Sequence, residues 1–218
     1  KVVVGSSIGL DQNQLAGTDE DRAKDFQQQL DNTNVKAIWC VRGGYGTVRM
    51  VDLIDFTNFK VYPKWVIGFS DVTVLHSHIH NLGIQSIHGM MPVNIPRATP
   101  EAKESLRKAL FGESLSYAIP FDPMNKLGEA KGELVGGNLS ILYSLFGSES
   151  AIDCADKILF LEDPFDKMDN EQAKEIIDFI VSKENKWTII VTSKNDYWKQ
   201  KCERIITLEK GKLISDTK

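Results

Sequence analysis

The stretch KWVIGFSDVT, residues 64–73, sets a serine, Ser70, and an acid, Asp71, directly after an apolar run and a glycine. A serine hydroxyl attacks a carbonyl only when a base takes its proton and donors await the oxyanion that forms. A strand that turns sharply into a helix exposes such a hydroxyl, and the next amide, that of Asp71, faces the developing charge. A second donor would come from the turn RGGYGT, where Gly43 and Gly44 have no side chains to keep a substrate off the backbone. Gly68 would permit the tight turn itself. GFSDV nevertheless lacks the second glycine of G-x-S-x-G, and serine is also a favoured helix N-cap. The residues alone leave both roles of Ser70 open.

A general base is harder to place. Of the four histidines, His76, His78 and His80 alternate along an expected helix, which spreads them around its circumference instead of gathering them. They read as solvated or core-edge residues. His88, in IHGMM, follows an expected strand and either lines a pocket or packs through a hydrogen bond. Cys40, Cys154 and Cys202 are odd in number and far apart, which fits reduced thiols in a cytoplasm-like compartment and implies no zinc site.

The elements that must hold these groups follow from periodicity. KVVVG reads as a buried strand. Thr18 precedes three acids, and Ala23, Phe26 and Leu30 then recur at helical spacing, so a helix capped near Thr18 is expected. VKAIWC is a strand running into RGGYGT, TVRMVDLI has helical periodicity, and KWVIGF is strand again. DVTVLHSHIHNLG places Val72, Leu75, Ile79 and Leu82 on one helical face, and IQSIHG is a further short strand. Alternating strands and helices joined by short turns predict an α/β fold, a parallel sheet flanked by helices. Ligands bind such sheets at the carboxyl ends of the strands, where RGGYGT and GFSD both fall.

Further on, PRATPEAKESLRKALFG reads as a surface helix and SYAIPFDPMNKLGEAKG as a connection between domains. ELVGGNLSILYSLFG is a helix opening after a glycine pair, and KILFLED is a buried strand ending in two acids. In EQAKEIIDFIV an apolar face carries Ile176, Ile177 and Ile180. WTIIVTS and RIITLEKGKLIS close the chain as strands, with a turn at Lys210–Gly211. This second part forms a smaller C-terminal α/β unit.

Composition narrows the partners. Hydrophobic residues at 42% and charged residues at 26% describe an ordinary globular protein. The net charge of -4 arises from well-mixed signs with no basic stripe, which argues against nucleic acid. No apolar run approaches the roughly 20 residues that span a bilayer, and no signal segment opens the chain, which begins at Lys1.

Taken in order, LAGTDEDRAKDF, AIWCVRGGYGT, VIGFSDVT, IHGMMP, GELVGGNLSIL and KILFLED resemble the LD-carboxypeptidases, serine peptidases that include muramoyltetrapeptide carboxypeptidases and microcin-immunity peptidases. The resemblance covers Lys1 to about Asp163. It implies that Ser70 is the nucleophile, that the amides of Asp71 and Gly44 form the oxyanion hole, and that Glu162 orients a catalytic histidine. Arg42, Gly43, Tyr45, His88 and Asn138 would line the substrate site. It also implies release of a terminal D-alanine from murein tetrapeptides in the cytoplasm, without metal or cofactor, by proteins that often dimerise. Family members carry a strand and helix before KVVVG, so an N-terminal truncation is expected. Their histidine lies well beyond FLED, yet no histidine follows His88 here. Without it Glu162 has nothing to orient and the chain is expected to be impaired.

From Lys157 onward, ILFLEDPFDKMDNEQAKEIIDFI and WTIIVTSKNDYWKQKCERIITLEKGKLIS resemble the end of an ABC-transporter ATPase domain. Glu162 and Asp163 would match its two acids, DKMD its D-loop, and Lys194 its switch position. No G-x-x-x-x-G-K-[ST] loop occurs, so ATP hydrolysis by this chain is not expected. The expected layout is therefore a peptidase N-terminal domain over 1–120, a linker at 121–132, the start of the peptidase C-terminal domain over 133–163, and a fused ATPase-like tail over 164–218. A non-catalytic peptide-binding module and an ATP-binding fragment are the competing functions.

Overall fold

A computed structural model describes residues 1–117, 130–162, 171, 174–175, 177–178, 181–182, 188–192, 196–201, 205–209 and 212–217. The chain divides into two compact units, Lys1–Leu115 with Val135–Asp153, and Ser116–Leu134 with Cys154–Lys218. The connection expected around 118–129, Ile176 and Ile180, and the turn at Lys210–Gly211 lie outside the described residues.

In the first unit, helix α1 (Asp19–Asp31) opens as its sequence requires: Thr18 Oγ1 accepts from the Asp21 amide, and the Asp21 carboxylate accepts from the Thr18 amide. This reciprocal capping box satisfies two amides that a helix start leaves orphaned. Ala23, Phe26 and Leu30 are buried on its inner face. Its last turn has no basic residue, and Lys64 supplies the missing donor from outside. The buried Lys64 ammonium donates to the carbonyls of Gln29 (2.9 Å) and Asn32 (2.8 Å), where the helix dipole favours a cation. Desolvation holds its pKa below the usual lysine range.

Strands β1 (Ala37–Trp39), β2 (Trp65–Gly68) and β3 (Ile87–His88) form a parallel sheet in the order β1-β2-β3. Short helix α2 (Thr57–Val61) precedes β2, and α3 (Thr73–Asn81) connects β2 to β3. Helix α4 (Pro100–Leu110) is capped by Thr99 and buries only Leu106, the surface helix its sequence suggests. Strand β4 (Leu134–Asn138) runs into α5 (Leu139–Ser144), whose N-cap is the Asn138 side chain. Phe26, Phe59, Val66, Val72, Leu75, Ile79 and Leu145 meet in one apolar core. Burying each such side chain contributes about 1.5–3 kcal/mol, so Leu145 from the second stretch of chain is as much a part of this core as residues of the first.

Two local expectations are corrected. KVVVG is not a buried strand: residues 1–5 have no ladder partner among the described residues, and Val2 is 87% exposed. An apolar run becomes a strand only when a neighbour accepts its backbone hydrogen bonds. The segment is held instead through its end. Asp25, buried on α1, accepts from the amides of Ser6 (3.0 Å) and Ser7 (2.9 Å) and from Ser7 Oγ (2.6 Å). Burial raises the Asp25 pKa, and the bonds from Ser7 and Ser6 outweigh that and hold it below the usual range. TVRMVDLI, in turn, forms no α-helix but a turn followed by the 3-10 segment Val51–Leu53.

In the second unit, β5 (Ile158–Glu162) pairs in parallel with β6 (Thr188–Thr192), from Ile158 opposite Thr188 to Glu162 opposite Thr192. Helix α6 (Asp196–Lys201) follows, and β7 (Ile205–Glu209) and β8 (Lys212–Thr217) form an antiparallel hairpin. The α/β class, parallel strands flanked by helices, is as expected from the alternation of elements. Among the described residues no helix is long and apolar enough to cross a membrane.

Candidate active site

Ser70 stands at the carboxyl end of the central strand β2, where the chain reverses into the 3-10 segment Ser70–Val72 and then α3. Its φ is +60°, a left-handed conformation that a non-glycine residue adopts at a cost of order 1–3 kcal/mol. This is not the backbone of a helix N-cap. The N-cap position belongs to Phe69, and no side chain caps the segment. A helix cap takes extended backbone, whereas a nucleophile raised on a sharp turn takes strained backbone of this kind. Gly68 makes the turn possible, because a methyl group there would lie 2.7 Å from Val72 Cγ2 and 2.9 Å from Val72 Cγ1.

The glycine-rich turn after β1 reaches the same place. A methyl group built on Gly43 would sit 3.6 Å from Ser70 Oγ and 3.6 Å from the Asp71 amide nitrogen. The bare Gly43 therefore faces the space between the hydroxyl and the first amide beyond it. A methyl group on Gly44 would meet nothing within 4 Å. Arg42 and Tyr45 are exposed on either side of the pair, Tyr45 to 77%.

Asp71 contributes more than its amide. Its buried carboxylate accepts, through Oδ2, from the Gly46 amide (3.2 Å), the Thr47 amide (3.1 Å) and Thr47 Oγ1 (2.7 Å). Arg22 donates to the Gly46 carbonyl at 2.8 Å and is paired with Asp19, which also holds Arg49 at 2.7 Å. None of Asp19, Arg22 or the Asp71 carboxylate was singled out from the sequence. Asp19 and Arg22 lie three apart on α1, a spacing that marks an ion pair but not its destination.

Two of the histidines behind the turn, His76 and His78, serve its architecture. His76, expected to be solvated or at the core edge, is buried: Nε2 bonds the Gly68 carbonyl at 2.9 Å and Nδ1 meets Ser86 Oγ at 2.7 Å. A carbonyl only accepts, so Nε2 carries the proton and Nδ1 accepts from the serine. Burial is the main cause that brings its pKa down to about 4, so the ring is neutral at ordinary pH. Helical spacing spread the three histidines as expected, but it could not tell which side of α3 the sheet would cover. His78 packs on the Phe56 ring and reaches Ser150 Oγ. His88 lies opposite Gly68 in the sheet, beside the Phe69 and His76 rings.

Asn138 is buried, with its side-chain oxygen capping α5 at the Ile141 amide (3.2 Å) and its own amide donating to Thr73 Oγ1 (2.9 Å). Glu162 ends β5 in the second unit and is partly buried. Cys40 is no rival nucleophile, because burial and the neighbouring Asp71 carboxylate push its thiol up to about 12. Among the described residues no group of three His, Cys, Asp or Glu side chains could hold a metal ion.

Sequence comparison supplies the family. Residues 1–89 match the LD-carboxypeptidase N-terminal domain, and residues 131–182 match the C-terminal domain of the same family. Over these residues the chain belongs to the LD-carboxypeptidase family. The second match runs to Ser182, past Asp163, into the stretch that resembles an ATPase end.

Among similar proteins are the "Probable murein peptide carboxypeptidase" of Bacillus subtilis, 37% identical over 75% of this chain and 53% of its own length, and the murein tetrapeptide carboxypeptidase of Pseudomonas aeruginosa, 35% identical over 68% and 52%. The chain thus spans about half the length of the curated relatives it matches. Its fold is also that of the microcin C7 self-immunity protein MccF in its apo state, with a TM-score of 0.73 at 22% identity over 88% of this chain and 68% of the other. The muramoyltetrapeptide carboxypeptidase of Oxalobacter formigenes aligns with a TM-score of 0.66 at 19% identity, over 84% of this chain and 76% of that one.

Proposed function

We propose that this chain carries the nucleophile and oxyanion half of a cytoplasmic serine LD-carboxypeptidase that releases the terminal D-alanine of murein tetrapeptides. The observation that carries the reading is Ser70 at φ +60° on the strand-to-helix turn, with the side-chain-free Gly43 against its hydroxyl. In this reading Ser70 Oγ attacks the scissile carbonyl, and the amides of Asp71 and Gly44 receive the oxyanion. Arg42, Tyr45 and His88 surround the bound peptide, and Glu162 is the acid of the triad. The names of the murein carboxypeptidases among its relatives support this substrate class.

Within these 218 residues no histidine follows His88 to serve as the base of the triad. His76 does not replace it, because its basic nitrogen, Nδ1, already accepts from Ser86 Oγ, and its other nitrogen is committed to Gly68. Ser70 is therefore expected to react slowly with a fluorophosphonate, and faster when imidazole is added to take the serine proton. Intact-mass measurement should show one adduct, absent in Ser70→Ala. Equal labelling of both proteins, or none in the parent even with imidazole, would overturn the assignment.

The fused ATPase-like tail over 164–218 stays a proposal, and the family match that runs to Ser182 argues against its first part. The competing reading as an ATP-binding fragment, which the missing phosphate loop argues against, predicts a higher melting temperature in millimolar ATP with magnesium; an unchanged one sinks it.

A further inference from the structure

The peptide bond between Gly46 and Thr47 is gripped at both ends by opposite charges. Its N–H, carried by Thr47, donates to Asp71 Oδ2, and its carbonyl, carried by Gly46, accepts from the Arg22 guanidinium. A peptide dipole is positive at N–H and negative at oxygen, so an anion at one end and a cation at the other favour the same orientation. Turning the peptide over would break both bonds and set each charge against the wrong pole. Little water competes, since Asp71 is 4% exposed and the Arg22 side chain 11%. Asp71 Oδ1 has no hydrogen-bond partner among the described residues, and the carboxylate bonds the loop through Oδ2.

We propose that Asp71 and Arg22 are positioning residues that clamp the Arg42–Thr47 loop against the Ser70 turn. Resting on the reading of Ser70 as nucleophile, this gives Asp71 two coupled tasks. Its amide is one wall of the oxyanion hole, and its carboxylate sets the distance to the loop that supplies the other. Arg22, fixed to Asp19 at the start of α1, holds the loop from the opposite side. Neither side chain touches substrate in this arrangement; both act through the Gly46–Thr47 peptide.

The test compares the whole chain with Asp71→Asn, Arg22→Met and Arg22→Lys by amide hydrogen exchange. Exchange at Gly46 and Thr47 should accelerate by roughly tenfold or more in Asp71→Asn and Arg22→Met, with Val74 and Leu75 in α3 unchanged. Lysine, which keeps the cation, should restore most of the protection lost with methionine. Unchanged rates at Gly46 and Thr47, or acceleration spread evenly over α3, would overturn the clamp. If Asp71→Asn does not fold, the two Arg22 variants make the same comparison. Fluorophosphonate labelling of Ser70 should slow in the same order as the exchange accelerates. A parent that never labels would remove the nucleophile reading, and the exchange rates would still decide the clamp.

Discussion

Replacing Gly137 by alanine is expected to destabilise the first unit by roughly 3–5 kcal/mol, combining backbone strain with overpacking. Gly137 has φ +143°, outside the range that alanine readily adopts, and a methyl group there would lie 2.5 Å from Thr73 Oγ1 and 2.7 Å from Thr73 Cγ2. Thr73 is completely buried and cannot retreat. Its hydroxyl also receives the Asn138 amide, the bond that docks the end of β4 onto the first turn of α3. The collision would therefore loosen the attachment of α5 as well as the helix that carries the Ser70 turn. Urea denaturation of Gly137→Ala beside the parent measures the effect, and a loss under 1 kcal/mol would mean that the two segments are not packed this closely.

Acid should remove about 3 kcal/mol of stability through His76 alone, between pH 6.5 and 4. The ring is buried and neutral in the fold, with its pKa brought to about 4 from 6.5. The unfolded chain therefore takes the proton first. Stability from this group is complete above pH 6.5, declines as pH falls through the window, and is gone below 4. His78 and His88 are shifted in the same direction, so the parent's total decline will include them. Asp25, shifted down as a carboxylate, adds its loss only below about pH 3.8. Subtracting the profile of His76→Gln isolates the one ring, since glutamine does not titrate. Parallel profiles from pH 6.5 to 4 would show that the His76 ring is not buried neutral.

How much of this was legible beforehand depends on how local the cause is. The capping box at Thr18 and Asp21, and the buried stripe of Ala23, Phe26 and Leu30, depend on neighbours within one or two turns. Both could be read from spacing. The strand KWVIGF and the turn GFSD were likewise visible, because an apolar run closed by glycine and polar residues has few alternatives. KVVVG has the same apolar character and yet lies exposed, since strand formation needs a partner that composition does not reveal. TVRMVDLI carries a helical period over too few residues to propagate a helix, and it stops after a 3-10 turn.

At the candidate site, the serine, the glycine pair and the first amide beyond the serine were evident as residue types in a known order. Sequence by itself determined the residue types and their order: a hydroxyl after a strand, two side-chain-free positions after another, and an alternation of elements that predicts parallel strands. Only the tertiary structure decided that Ser70 holds left-handed backbone instead of capping a helix, and that Gly43 lies against its hydroxyl. It also put the Asp71 carboxylate and Arg22 on opposite ends of one peptide and turned His76 into the core. The physical reason is the same in each case. Capping and periodicity are set by residues three or four positions apart, whereas hydrogen bonds such as Asp71 to Thr47 or Asn138 to Thr73 join residues 24 and 65 positions apart. Those contacts exist only after the sheet has brought its strand ends together.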